Sequence, residues 1–166
     1  MGFRFVSIRG LALLLCSAVL LVAPLKAQDR ALPYWATLRY EKVNMRVGPS
    51  NEYPVAWVYL RKGLPVKVVR IREGWRLVED HEGTRGWIAA SQLDPERGGL
   101  VIGSGTAEVR AGAGGAGAIK WRAEPGVVAR LKACKQNWCE VDIAGRKGWM
   151  SAARLWGSEG LPGNDE

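Results

Sequence analysis

A few residue groups in this 166-residue chain have types and spacing that could do chemistry. Cys134-Lys135-Gln136-Asn137-Trp138-Cys139 carries two of its three cysteines. With Gln136-Asn137 as a two-residue turn, Cys134 faces Cys139 as a non-hydrogen-bonded pair, with Cα atoms about 4.5 Å apart. That lies at the short end of disulfide geometry. An oxidising compartment favours closure, and so small a loop gives about 2 kcal/mol before strain is subtracted. A reactive thiol pair is the rival reading, and it lacks the Cys-x-x-Cys spacing. His81 is the single histidine and sits in Glu79-Asp80-His81-Glu82-Gly83. One imidazole without partners at ligand spacing makes no metal site. It reads as an exposed turn residue, with Asp80 and Glu82 as solvated turn carboxylates. Gly112-Ala113-Gly114-Gly115-Ala116-Gly117 fits G-x-G-x-x-G. A dinucleotide site needs that loop to open a helix, and residues 119–125 are too few for one. No cofactor is expected. No Ser-His-Asp or Cys-His set occurs in both halves, so catalysis is not expected and a hydrolase is disfavoured.

The remaining candidates are aromatic and basic. Tyr53, Trp57, Tyr59 and Trp75 lie in the first half, and Trp57 and Trp75 recur as Trp121 and Trp138. Flat aromatic faces bind extended peptides or glycans. The competing use is core filling, since a domain of about 60 residues has little else to bury. Trp87 and Trp149 are expected in the core, because each follows a turn and leads a strand. Arg46 and Arg110 also recur. Each packs its stem on the fold and bonds loop carbonyls, with capture of a ligand carboxylate as the alternative.

These residues need elements to hold them. Gly83-Thr84-Arg85-Gly86-Trp87, closed by Leu93, recurs as Gly145-Arg146-Lys147-Gly148-Trp149, closed by Leu155. The two glycines of each copy suit a tight turn through positive φ. Other matches keep order: Gly48 with Gly112, Gly63 with Gly126, and Val78 with Val141. The chain is therefore a duplication. Its segments read as strands: Val55 to Leu60 is β-branched and aromatic, and alternation slips at Val68-Val69, which predicts a bulge. No stretch sustains a helical period. We place the first domain at 36–95, a linker at 96–100, the second domain at 101–157, and a disordered tail at 158–166. The lead-in Tyr34-Trp35 is expected to dock on the first domain.

Arg4 and Arg9 precede an apolar run that ends at Pro24, followed by Leu25-Lys26-Ala27. This reads as a signal peptide over residues 1–27, giving a periplasmic or secreted protein. The run is shorter than the ~20 residues of a spanning helix. An uncleaved anchor is the alternative, and Leu15 before Cys16 argues against a lipoprotein signal. Losing Arg4, Arg9 and Lys26 lowers the net charge from +8 to +5. A mild positive charge suits plain solubility or an anionic surface. Dense basic runs are missing, so nucleic acid is not an expected partner.

Val43-Asn44-Met45-Arg46-Val47-Gly48-Pro49-Ser50, Gly74-Trp75-Arg76-Leu77-Val78 and residues 83–93 resemble the bacterial SH3-type domain. The second copy resembles it at Ala107-Glu108-Val109-Arg110-Ala111-Gly112, Asn137-Trp138-Cys139-Glu140-Val141 and residues 145–155. It departs from the pattern at Ala113-Gly114-Gly115-Ala116-Gly117, where the family carries Pro and Ser. The resemblance implies an all-β fold of two tandem SH3-like small barrels. In that topology the long first loop and the turn before the Trp-led strand flank a groove. It also implies an exported protein, often one that binds the cell wall or another protein and often an accessory to a hydrolase, while no hydrolase domain is read in this sequence; the reading is a non-catalytic module that binds the cell envelope. Peptidoglycan or its peptide stems is the leading ligand, and tandem copies would add avidity. The alternative is an adaptor for an extended segment of another envelope protein. Tyr53, Trp57, Tyr59, Trp75, Trp121 and Trp138 are the ligand-binding candidates.

Overall fold

The computed structural model describes residues 1–2 and 31–163. The expected signal peptide falls almost wholly outside the described residues, as do residues 164–166. Among the described residues no helix is long and apolar enough to cross a membrane.

Two antiparallel sheets account for the fold. The first holds β1 (Tyr34–Leu38), β2 (Val43–Arg46), β3 (Val55–Tyr59), β4 (Pro65–Arg72), β5 (Trp75–Glu79), β6 (Arg85–Ala89) and β7 (Leu93–Asp94), in the order β3-β2-β6-β5-β4-β1-β7. The second holds β8 (Gly98–Val101), β9 (Ala107–Arg110), β10 (Ile119–Ala123), β11 (Val128–Lys135), β12 (Trp138–Ile143), β13 (Arg146–Ser151) and β14 (Leu155–Trp156). Its order is β10-β9-β13-β12-β11-β8-β14, the same topology. Equivalent pairs recur: Arg46 faces Trp87 as Arg110 faces Trp149, and Val78 faces Gly86 as Val141 faces Gly148. The fold is all-β and doubled.

Each sheet wraps its own core. Val43, Met45, Val66, Val68, Val78 and Ile88 fill the first. Val109, Leu131, Cys139, Val141, Met150 and Leu155 fill the second. The expected bulge lies between Val68 and Arg70. The recurring Gly-x-x-Gly divides its work differently from the expectation of two turn glycines. Gly83 and Gly145 do turn the chain, at φ 82° and 83°. Gly86 and Gly148 instead make room. A Cβ would lie 2.5 Å from Met45 Cγ at one and 2.4 Å from Val109 Cγ1 at the other. Because Gly86 and Ile88 face inward, Trp87 between them faces out. Trp87 and Trp149 are half-buried on the opposite face, so the core role expected for them falls to Ile88 and Met150.

The Gln136-Asn137 turn forms, with φ 52° and 57°. Cys134 and Cys139 are disulfide-bonded across it, with Cα atoms 3.9 Å apart, closer than the sequence predicts. The Cys134 N–H donates to the Pro162 carbonyl at 3.2 Å, as a non-hydrogen-bonded ladder position allows.

Two boundary expectations differ from the structure. Gly98–Val101 pairs with β11, so most of the stretch expected as linker is strand. The tail is anchored at two points: Ser158 is buried and Leu161 joins the second core. The lead-in joins the first domain as expected, with Tyr34 and Trp35 in β1 opposite Val68 and Lys67 of β4, and the Trp35 ring also meets the second barrel, edge-on to Trp156 at 4.6 Å between ring centroids. Lys67 ties the barrels further, its Nζ pairing with Glu159 at 3.1 Å, and Arg97, which holds the Gly157 and Glu159 carbonyls, lies 5.9 Å from the Trp35 ring centroid. Tyr34 also packs on the first core, where its hydroxyl accepts from Arg76 Nε at 3.0 Å.

Candidate functional site

The loop 47–54 between β2 and β3 is built by Arg46. Its Nη1 donates to the Tyr53 carbonyl at 2.7 Å, and the Val47 N–H donates to Pro54 O at 3.1 Å. Gly48 lets the Tyr53 ring lie on the backbone, where a Cβ would sit 2.5 Å from the ring. Tyr53 is exposed at the end of this loop. Trp57 follows on β3 and is 55% exposed, although it pairs with buried Met45. Val47, Val55, Val58 and Leu60 are also exposed, Leu60 at 74%. The outer edge of β3 pairs with no strand among the described residues.

Tyr59 leaves this surface. Its ring is buried and its hydroxyl donates to Asp80 Oδ2 at 2.8 Å. Burial first, and the Asp80 bond second, push the hydroxyl far above the ordinary tyrosine pKa. Asp80 is 6% exposed, so it is no solvated turn carboxylate. Its Oδ1 accepts from the N–H groups of Glu82 and Thr84 at 3.1 and 2.9 Å, which holds the 80–84 turn. Tyr59 is therefore a structural pin and not a ligand contact. His81 is exposed in that turn, with its ring 6.2 Å from Trp156. Trp75 is half-buried at the head of β5, opposite Ala89.

The second copy places the matching residues under cover. Trp121 packs half-buried on the core, and the Arg146 guanidinium lies 4.5 Å from its ring centroid. Lys120 Nζ donates to the Lys147 carbonyl at 2.6 Å, drawing β10 onto the start of β13. The Gly-rich loop leads into β10, with no helix. Gly114, Gly115 and Gly117 take positive φ, and Arg110 Nη1 holds the Gly115 and Gly117 carbonyls at 3.2 and 3.1 Å. Gly115 lies on Trp138, where an added Cβ would meet the indole at 3.0 Å. Both recurring arginines are thus loop clamps. Among the described residues no cluster of three or more metal-ligating side chains occurs.

Sequence reasoning named Tyr53 and Trp57 but missed Val55, Val58 and Leu60, which are exposed on and beside the same strand. The repeat itself holds the signal. Ala56 and Val58 stand where the second copy has Lys120 and Arg122, and Thr84 stands where it has Arg146.

Two small barrels of one topology stand in tandem. Residues 39–95 and 103–157 each match the family described as the bacterial SH3 domain, and the chain belongs to that family. Such domains are in general non-catalytic modules that bind the cell wall. Among solved structures the chain is similar to NlpC2 and NlpC1 from Trichomonas vaginalis, each at 11% identity, with TM-scores of 0.35 and 0.33. The alignments cover 77% and 78% of this chain but 49% and 47% of those, so it spans about half their length. No curated protein matches it.

Proposed function

We propose that the protein is an exported, non-catalytic module that binds peptidoglycan or its peptide stems through the first barrel. The observation that carries this reading is the contrast at one recurring indole. Trp57 is 55% exposed and Tyr53, four residues before it, is exposed too, whereas Trp121 lies under Arg146. Family membership supports the wall as ligand class, and a net charge of +5 after loss of residues 1–27 suits an anionic polymer. An exposed indole and phenol supply flat contact to sugar rings or an extended peptide. The second barrel holds the first in place through Trp156 on Trp35.

Co-sedimentation with purified peptidoglycan sacculi tests this. Wild type is retained at low and moderate salt. Trp57→Ala and Tyr53→Ala lower retention, and Trp121→Ala does not. No retention at low salt overturns the reading, and retention lost entirely at modest salt reduces it to charge attraction. Export is tested separately: the periplasmic or secreted protein begins after about Ala27.

A further inference from the structure

We infer that Arg46 binds a carboxylate, and that the ligand of the first barrel is a peptide presenting a free carboxylate to the Nε/Nη2 edge of that side chain. This rests on the wall-binding reading and narrows it, from the polymer as a whole to the peptides it carries. The molecule supplies its own comparison. Arg46 and Arg110 stand at the same place in the two barrels, paired with Trp87 and Trp149. Each sends Nη1 to the loop that follows it: Arg46 to the Tyr53 carbonyl at 2.7 Å, Arg110 to those of Gly115 and Gly117 at 3.2 and 3.1 Å. The remaining Nε/Nη2 edge is a fork of donors that suits a carboxylate. In the second barrel the chain fills it from within. Arg110 Nε and Nη2 donate to Glu108 Oε2 at 2.9 and 2.7 Å, and Arg122 lies 3.6 Å from the other oxygen. In the first barrel Asn44 stands at the place of Glu108 and Val58 at the place of Arg122. Among the described residues Arg46 makes no other side-chain hydrogen bond and no ion pair, and the Asn44 side chain makes no hydrogen bond. A guanidinium cannot shed its charge, so this edge attracts an anion at any working pH.

The surroundings select the kind of anion. Residues paired across antiparallel strands project to the same face. Arg46 is paired with Val55 on one side and Trp87 on the other, and Asn44 is paired with Val58. Val55 and Val58 are exposed, and Trp87 is half-buried. No second cation occupies a position paired with Arg46, whereas a phosphate carries more charge than one guanidinium edge balances. A single donor fork among apolar side chains suits a single carboxylate with a small apolar group next to it. Free carboxylates of the wall polymer sit on its peptides and not on its sugar rings. Tyr53, whose carbonyl Arg46 holds, is itself exposed, so the carboxylate subsite adjoins the aromatic surface already described.

Co-sedimentation with two preparations of sacculi reads the proposal, one native and one with its carboxylates converted to neutral methylamides. Moderate salt screens bulk attraction. Wild type is expected to bind the native polymer about five-fold more tightly than the amidated one, the upper range for an exposed ion pair. Asn44→Glu, which gives Arg46 the internal carboxylate that Arg110 has, loses most of that preference with thermal unfolding unchanged. Asn44→Gln, of the same length and neutral, keeps it. Lys135→Gln, which lowers the net charge equally but on the second barrel, keeps it too. Wild type held equally by both polymers overturns the proposal and leaves wall binding standing, and that comparison needs no variant. An Asn44→Glu protein with the wild-type preference also overturns it, as does a preference lost equally in Lys135→Gln, which reduces the effect to net charge. Failure of wild type to bind either polymer removes the wall reading itself, and this one with it.

Discussion

The strands β3 and β10 occupy the same place in two barrels of one topology and meet solvent differently. On β10, Lys120 and Arg122 face out and Arg146 roofs Trp121. On β3, Ala56 and Val58 take the cationic positions and Trp57 stands open. What the copies share is architectural: the glycines at 86 and 148 that admit a neighbouring side chain, and the arginines that hold a loop. What they do not share is the surface. One copy presents exposed apolar side chains and the other covers its indole. The barrels are pinned differently as well. The first uses the buried Tyr59–Asp80 hydrogen bond. The second uses the Cys134–Cys139 disulfide, with Ala123 at the place of Tyr59.

The largest expected effect breaks the first pin. Asp80→Ala strands the Tyr59 hydroxyl and the Glu82 and Thr84 N–H groups. At 1–3 kcal/mol for each unsatisfied buried group, partly rescued by water, it costs about 3 kcal/mol. Asp142→Ala, which loses only the Gly145 N–H bond at 2.9 Å at an exposed turn, costs about 1 kcal/mol. Chemical denaturation of the two variants compares them. Reducing the disulfide comes next and removes about 2 kcal/mol. Hydrogen exchange should show the loss in 101–157 and not in 36–95.

A pH dependence follows from the first pin. The folded state holds the Tyr59 proton more tightly than the unfolded chain. Tyr59 therefore contributes stability that is whole below the ordinary tyrosine pKa of about 10 and drains as pH rises past it. Base titration followed by circular dichroism should unfold the first barrel earlier, and Tyr59→Phe should remove that share of the slope. The smallest effect is expected from Lys120→Ala/Arg122→Val. These exposed changes shift stability by about 0.5 kcal/mol or less. Chemical denaturation against wild type checks it.

Much of the fold was legible in local chemistry. Gln136-Asn137 between strands of opposite sense is a turn wherever it stands, and Val68-Val69 breaks an alternation that only a bulge absorbs. The repeat was legible because Trp and Gly are costly to misplace. Tyr59 was not. It shares a β-rich run with Tyr53 and Trp57, and it turns inward because a carboxylate 21 residues later offers an acceptor in the core. Trp87 misled for a related reason. Its size argued for the core, while the small glycine before it, not the indole, marks where the sheet is crowded. Leu161 looked like part of a polar tail, and only the three-dimensional closure of the second barrel gives it a socket.

The central claim is that the first copy's open indole, and not the second's covered one, is the working surface. Exchanging the roof between copies tests it most directly. Thr84→Arg supplies a guanidinium over Trp57 and keeps the backbone N–H that Asp80 accepts, while Arg146→Thr uncovers Trp121. In sacculus co-sedimentation the account predicts that Thr84→Arg sharply lowers retention and Arg146→Thr leaves it level or raises it. Retention unchanged by Thr84→Arg, or lost with Arg146→Thr in a protein that still folds, would contradict it.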